Sequence, residues 1–133
     1  MSLHEKYRSV LTMGEKFDAK DGYVEEADGR LRMGGTVEFQ YHKDLMWDEI
    51  KRIGGENPSD VEADIKVRNR TAYAHHTVEK GDSLSKIAKE YLGEAMAYKA
   101  IFAANTHTLD DPNKIFPGQE LVIPFPEGRS ADA

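Results

Sequence analysis

Between His75 and Pro124 the chain runs through two short helical periods placed back to back, with a strand-like run on either side. Leu84, Ile87, Ala88 and Tyr91 fall at i, i+3, i+4 and i+7, and Tyr98, Ile101, Phe102 and Asn105 repeat that spacing. Asp82 or Ser83 can cap the first helix, and Gly93 can end it. The run HHTVEK precedes the pair, and the loop THTLDDPNKIFPG leads into QELVIP. Helices this short draw little stability from their own hydrogen bonds and need a surface to pack on. The pattern therefore predicts β-α-α-β, with the two strands paired antiparallel beneath both helices.

The preceding part alternates differently. Tyr7, Val10, Leu11 and Gly14 mark a weakly amphipathic helix. Asp28-Gly29 supplies the positive φ of a tight hairpin, after which Leu31, Met33, Gly35, Val37 and Phe39 alternate with Arg32, Gly34, Thr36 and Glu38. Gly34-Gly35 predicts a bulge or a close backbone approach. YHKDLMWDEIKRIGG is helical, with Met46, Trp47, Ile50 and Ile53 on one side and Gly54-Gly55 at its end. VEADIKVR alternates cleanly, Val61, Ala63, Ile65 and Val67 facing one way. The order α-β-β-α-β implies an α+β sandwich of one small sheet under two helices. The polar connection NRTAYA (69–74) is the expected boundary. It is short enough for the two parts to pack together, with Tyr73 between them, and the end of the chain (127–133) is read as a disordered tail.

Charge narrows the partners. The net charge is −6, spread evenly: 12 Lys/Arg against 15 Asp/Glu in residues 1–70, and 6 against 9 in residues 71–133. Nucleic acid and anionic membranes both select a basic face, so neither is an expected partner. The chain has no cysteine, which removes disulfides, thiolate nucleophiles and Cys-ligated zinc and fits a reducing compartment. No apolar stretch has the length of a signal-peptide core or a membrane span, so a cytoplasmic location is expected.

HTVEKGDSLSKIAKEYLG, AYKAIFAANTHTLDDPNKIFPGQELVIP and the order of their elements resemble a LysM domain over about residues 75–124. The opening V-x-x-G-D-S-L, the I-A of the first helix, the A-N closing the second and I-F-P-G-Q-x-L-x-I-P all coincide. Residues 3–69 resemble a BON domain, in element order and in G-x-L-x-x-x-G-T-V. The organisation read is a BON-like domain over 1–70, a LysM domain over 71–126 and the tail. The combination resembles the small cytoplasmic BON–LysM proteins of bacteria that bind potassium.

Two ligands follow from the resemblance. LysM domains hold N-acetylglucosamine-containing glycans, as in peptidoglycan, in a shallow groove between two loops. Here those loops are Gly81, Asp82, Ser83 and Leu84 facing Asn113, Lys114, Ile115, Phe116 and Pro117. Loop backbone can bond acetamido and hydroxyl groups, while Ile115 or Phe116 covers a methyl or sugar face. The same residues also suit plain structure: Asp82 and Ser83 as caps, Leu84 and Ile115 as core, Pro117-Gly118 as a turn. Potassium is the second ligand. Backbone carbonyls would replace its hydration shell, from segments near Gly14, near Gly34-Gly35 or in the 69–74 connection, and residue types alone place no ion there. A protein partner docked on the LysM unit is a third reading.

Catalysis and transition metals are not expected. His75 and His76 are adjacent on a strand and point apart, while His4, His42 and His107 stand alone. Asp110-Asp111 before Pro112 reads as a solvated turn. Glu25-Glu26 face apart, and Glu90 and Glu94 imply no cleft, so no carboxylate pair is set for glycoside hydrolysis. Trp47, Tyr98 and Phe102 are expected in the cores.

Overall fold

The alternation at Val61–Asn69 becomes a strand because every second residue finds a core to enter, and the same holds along Arg30–Phe39. A computed structural model describes residues 2–132. The chain divides into two units, Met1–Asn69 and Arg70–Ala133.

The first unit runs α1 (Leu3–Lys6), α2 (Arg8–Lys16), β1 (Lys20–Ala27), β2 (Arg30–Phe39), α3 (Gln40–Gly54) and β3 (Val61–Asn69). The helix expected on Tyr7, Val10, Leu11 and Gly14 is α2, and the short α1 before it was not expected; the two are separated at Tyr7, whose backbone leaves the helical region. Strands lie in the order β1-β2-β3, β1 antiparallel to β2 and β2 parallel to β3. Asp28 and Gly29 both have positive φ, 55° and 74°, giving the tight turn that registers Ala27 on Arg30. The parallel pair needs a crossover, which α3 provides.

Tyr7, Val10, Leu31, Met33, Val37, Met46, Ile50, Val61 and Ile65 form the buried cluster, with Trp47 and Ile53 packed on it. Full burial of one such aliphatic side chain is worth about 1.5–3 kcal/mol. The outer face of β2 and β3 carries cross-strand charges instead, Arg32 against Glu62 at 3.4 Å and Arg68 against Glu38 at 3.9 Å. β1 is one of the two edge strands, and all eight of its residues are exposed.

The second unit runs β4 (Ala74–Thr77), α4 (Leu84–Leu92), a 3₁₀ turn at Ala95–Ala97, α5 (Tyr98–Ala104) and β5 (Glu120–Ile123). β4 and β5 pair antiparallel, Ala74 on Ile123 through Thr77 on Glu120. Ser83 is the cap of α4, its Oγ accepting from the Lys86 N–H at 3.2 Å, and Gly93 closes that helix with φ 81°. Leu84, Ile87, Ala88, Ile101, Leu121 and Ile123 are buried. Tyr98 and Phe102 are only half-buried, so the core of α5 rests on Ile101 and Asn105.

Tyr73 packs within this unit. Its ring meets Phe125 edge-on at 5.5 Å, and the Arg129 guanidinium lies 5.6 Å from its centre. The stretch 127–132 carries no helix or strand, yet Arg70 donates to the carbonyls of Ala131 and Asp132. No described helix is long and apolar enough to cross a membrane.

Candidate functional site

The two loops expected to form a groove are brought together by the end of the β4–β5 ladder. Beyond Thr77, Val78 donates its N–H to the Gln119 carbonyl and accepts from the Gly118 N–H, both at 2.8 Å. The loop leaving β4 (79–83) and the loop entering β5 (113–118) therefore start from the same backbone pair. Each is internally braced. Asp82 N–H donates to the Glu79 carbonyl at 3.0 Å, and Lys86 Nζ donates to the Gly81 carbonyl at 3.2 Å. Across from them, Phe116 N–H donates to Gln119 Oε1 at 2.7 Å and Gln119 N–H to the Phe116 carbonyl at 3.1 Å. Asp111 starts the turn that carries Asn113 and Lys114, accepting the N–H of Asn113 on its carboxylate at 2.8 Å.

The nine expected residues divide into three kinds. Gly81, Asn113, Lys114, Phe116 and Pro117 are exposed, and Gly81 has the positive φ (90°) its turn requires. Phe116 is the most conspicuous, an aromatic side chain 63% exposed. Asp82, Ser83 and Ile115 are half-buried. Leu84 is core, 2% exposed, so only its backbone could reach a ligand.

Asp82 is committed inward. Its Oδ2 lies 2.8 Å from His76 Nε2 and accepts the Glu79 N–H at 2.8 Å. The His76 bond, then the Glu79 N–H, holds the Asp82 carboxyl below its ordinary pKa. The other ring nitrogen of His76, Nδ1, is 2.8 Å from the Tyr91 hydroxyl. Sequence reasoning placed His75 and His76 on opposite faces but missed this network. The signal was there: an inward His on a strand, six residues before an Asp in a tight turn.

The sequence marks Asn105 as a helix-period position and as the end of the second helix, not as a bridge. It is 1% exposed, and its amide joins α5 to β5: Nδ2 donates to the Ile101 and Val122 carbonyls at 2.7 and 2.8 Å, and Oδ1 accepts the Val122 N–H at 2.9 Å.

The first unit contains a cleft of about 360 Å³. Val10, Leu11, Met33, Val37, Met46 and Ile65 give it apolar walls, and Gly14, Gly22, Gly34, Gly35 and Glu15 edge it. Small residues make the space. The β1–β2 register shifts between Lys20 and Tyr23, leaving Asp21 and Gly22 in a bulge opposite Gly35. A Cβ on Gly35 would stand 3.2 Å from the Lys20 carbonyl oxygen, and one on Gly34 only 2.5 Å from that of Asp64. Two of the three backbone regions singled out from sequence, Gly14 and Gly34-Gly35, thus line one cavity. Among the described residues no group of three His, Asp or Glu side chains is placed to hold a metal ion. His4 instead faces Glu26, Nδ1 to Oε1 at 3.0 Å, and His42 stacks on Phe17 at 4.4 Å.

Residues 76–124, the stretch that builds both loops, match the LysM domain family. Over 108 residues the chain is 36% identical to the potassium binding protein Kbp of Escherichia coli O6:H1, covering 80% of this chain and 71% of that protein. The chain belongs to the LysM-domain proteins. An uncharacterized protein of Deinococcus radiodurans is 51% identical over 49 residues, which are 37% of this chain and 19% of that one. The second unit spans only residues 70–133, fewer than the stretch aligned with Kbp, so that likeness extends beyond the LysM domain into the first unit.

Proposed function

We propose that the protein is a non-enzymatic binding protein that takes up potassium through backbone carbonyls in its BON-like first unit. The observation that carries this reading is the extent of the likeness to the potassium binding protein Kbp, which runs through both units. The glycine-edged cleft is the place in the first unit where it fits best. A large monovalent cation is held by several oxygens replacing its water, and a bulge frees main-chain groups from the ladder. The absence of cysteine and the potassium-rich interior of a cell agree with a cytoplasmic protein. The test is an amide NMR titration with KCl, NaCl and choline chloride at equal ionic strength. Gly14, Gly22, Gly34 and Gly35 should shift with potassium alone; equal responses to sodium and potassium would overturn the reading.

A second reading is favoured by the exposed Phe116 beside two braced loops. The LysM unit then binds N-acetylglucosamine-containing glycan, with Phe116 and Ile115 against a sugar face and loop backbone on its acetamido group. Chito-oligosaccharide should perturb Gly81–Leu84 and Asn113–Pro117 regardless of which cation is present. If it leaves those amides unmoved, the LysM surface is free to serve a protein partner instead.

A further inference from the structure

We infer that His76 is a positioning residue: its imidazole fastens the 79–83 loop to helix α4 and so sets one wall of the LysM groove. As a statement about ligand binding this rests on the glycan reading; as a statement about the loop it does not.

The strand dictates the placement. Alternation along β4 turns His75 outward and His76 inward, where its side chain is 14% exposed. There the ring touches three parts of the unit at once. It belongs to β4, it meets Asp82 of the loop through Nε2, and it meets Tyr91 in the last turn of α4 through Nδ1, with the tyrosine ring edge-on at 5.4 Å. Asp82 passes the constraint on, since the oxygen that meets His76 also accepts the Glu79 N–H at the start of the loop. Gly81, at φ 90°, makes the left-handed turn between them.

The donor and acceptor inventory fixes the chemistry. An ionised carboxylate only accepts, so Nε2 carries the proton toward Asp82; in the neutral ring Nδ1 then accepts from the Tyr91 hydroxyl. One tautomer satisfies both partners. It follows that Asp82 acts in recognition by shaping the loop rather than by presenting its carboxylate to sugar. The exposed groups left on this wall are the Gly81 main chain and the Glu79 and Lys80 side chains.

Three measurements on the full chain test this. The ¹⁵N shifts of His76 should report a protonated Nε2 and a bare Nδ1, and Asp82→Asn, whose amide can donate as well as accept, should mix the tautomers. His76→Phe keeps an aromatic ring beside Tyr91 without its nitrogens. It should speed hydrogen exchange of the Glu79 amide by about tenfold or more, with the Asn105 amide unchanged, and weaken chito-oligosaccharide about fivefold through the cost of reordering the loop. Unaltered Glu79 exchange in His76→Phe, a wild-type proton on Nδ1, or undiminished sugar affinity in that variant would each overturn the inference. If the wild type binds no sugar, the glycan reading fails, while the exchange and ¹⁵N results still decide whether His76 holds the loop. Should His76→Phe not fold, the Asp82→Asn tautomer shift decides alone.

Discussion

Tyr7 is fully buried, yet its hydroxyl reaches Asp60 Oδ1 at 2.6 Å, and Lys6 Nζ reaches Oδ2 of the same carboxylate at 2.5 Å. The hydrogen bond from Lys6, then that from Tyr7, lowers the Asp60 pKa. Burial, then the bond to Asp60, pushes the Tyr7 phenol up to about 12. The two shifts act at opposite ends of the pH scale. Asp60 contributes stability that is complete above the ordinary aspartate range, near about 4, and is lost as pH falls through its lowered folded pKa. Tyr7 contributes stability that is complete below about 10 and is lost as pH rises toward about 12. Asp60→Asn should therefore flatten part of the acid limb of a urea-stability profile, and absorbance titration should show one tyrosine ionising last. A wild-type acid limb in Asp60→Asn would count against the pairing. Neither Tyr7–Asp60 nor the Asn105 bridge was legible in sequence. Both join residues far apart in the chain, and a polar side chain satisfied by a distant partner leaves no local period.

At the scale of elements, what local physics controls was readable. Asp28-Gly29 could only be a hairpin turn, the alternation at 61–68 could only be a half-buried strand, and the first LysM helix follows its caps, Ser83 and Gly93. Non-local pairing was not readable. Gly34-Gly35 suggested either a bulge or a close approach. The structure has both, separated: the close approach is at Gly34, and the bulge is across from Gly35, in β1 at Asp21-Gly22. Gly34 sits under the ring of Tyr23, its register partner, with the Asp64 carbonyl of β3 on the other side. A Cβ there would lie 2.7 Å from the Tyr23 hydroxyl and 2.5 Å from the Asp64 oxygen. Gly34→Ala should cost about 1–3 kcal/mol by overpacking, read from urea midpoints. Adding Tyr23→Ala should recover little of it, because a side chain can swing aside while the β3 backbone cannot. Full recovery would place the strain in the ring contact alone. Of the candidate site, loop identity was legible and residue roles were not. Leu84 and Asp82 lie in the expected loop but face inward, a distinction that depends on how the loop closes over β4.

At the scale of the whole molecule, the two proposed ligands fall in different units, and this makes them separable. A ligand that binds only the folded state stabilises what it touches by RT ln(1 + [L]/Kd), about 2.7 kcal/mol at a hundredfold excess over Kd. Units can open locally without each other, so exchange of deeply protected amides reports their stabilities separately. Potassium in the first-unit cleft should slow exchange in the buried segments around Leu31, Val37 and Ile50. Sugar in the LysM groove should slow exchange around Ile87, Ile101 and Leu121. The measurement is amide exchange of the full chain in potassium and in sodium, each with and without chito-oligosaccharide. Potassium protection confined to the second unit would move the ion out of the cleft. Potassium protection rising equally in both units would mean that the ion couples them, so that one unit's opening requires the other's. Sugar that protects the second unit only when potassium is present would show the same coupling from the other side, since linkage between two ligands is reciprocal.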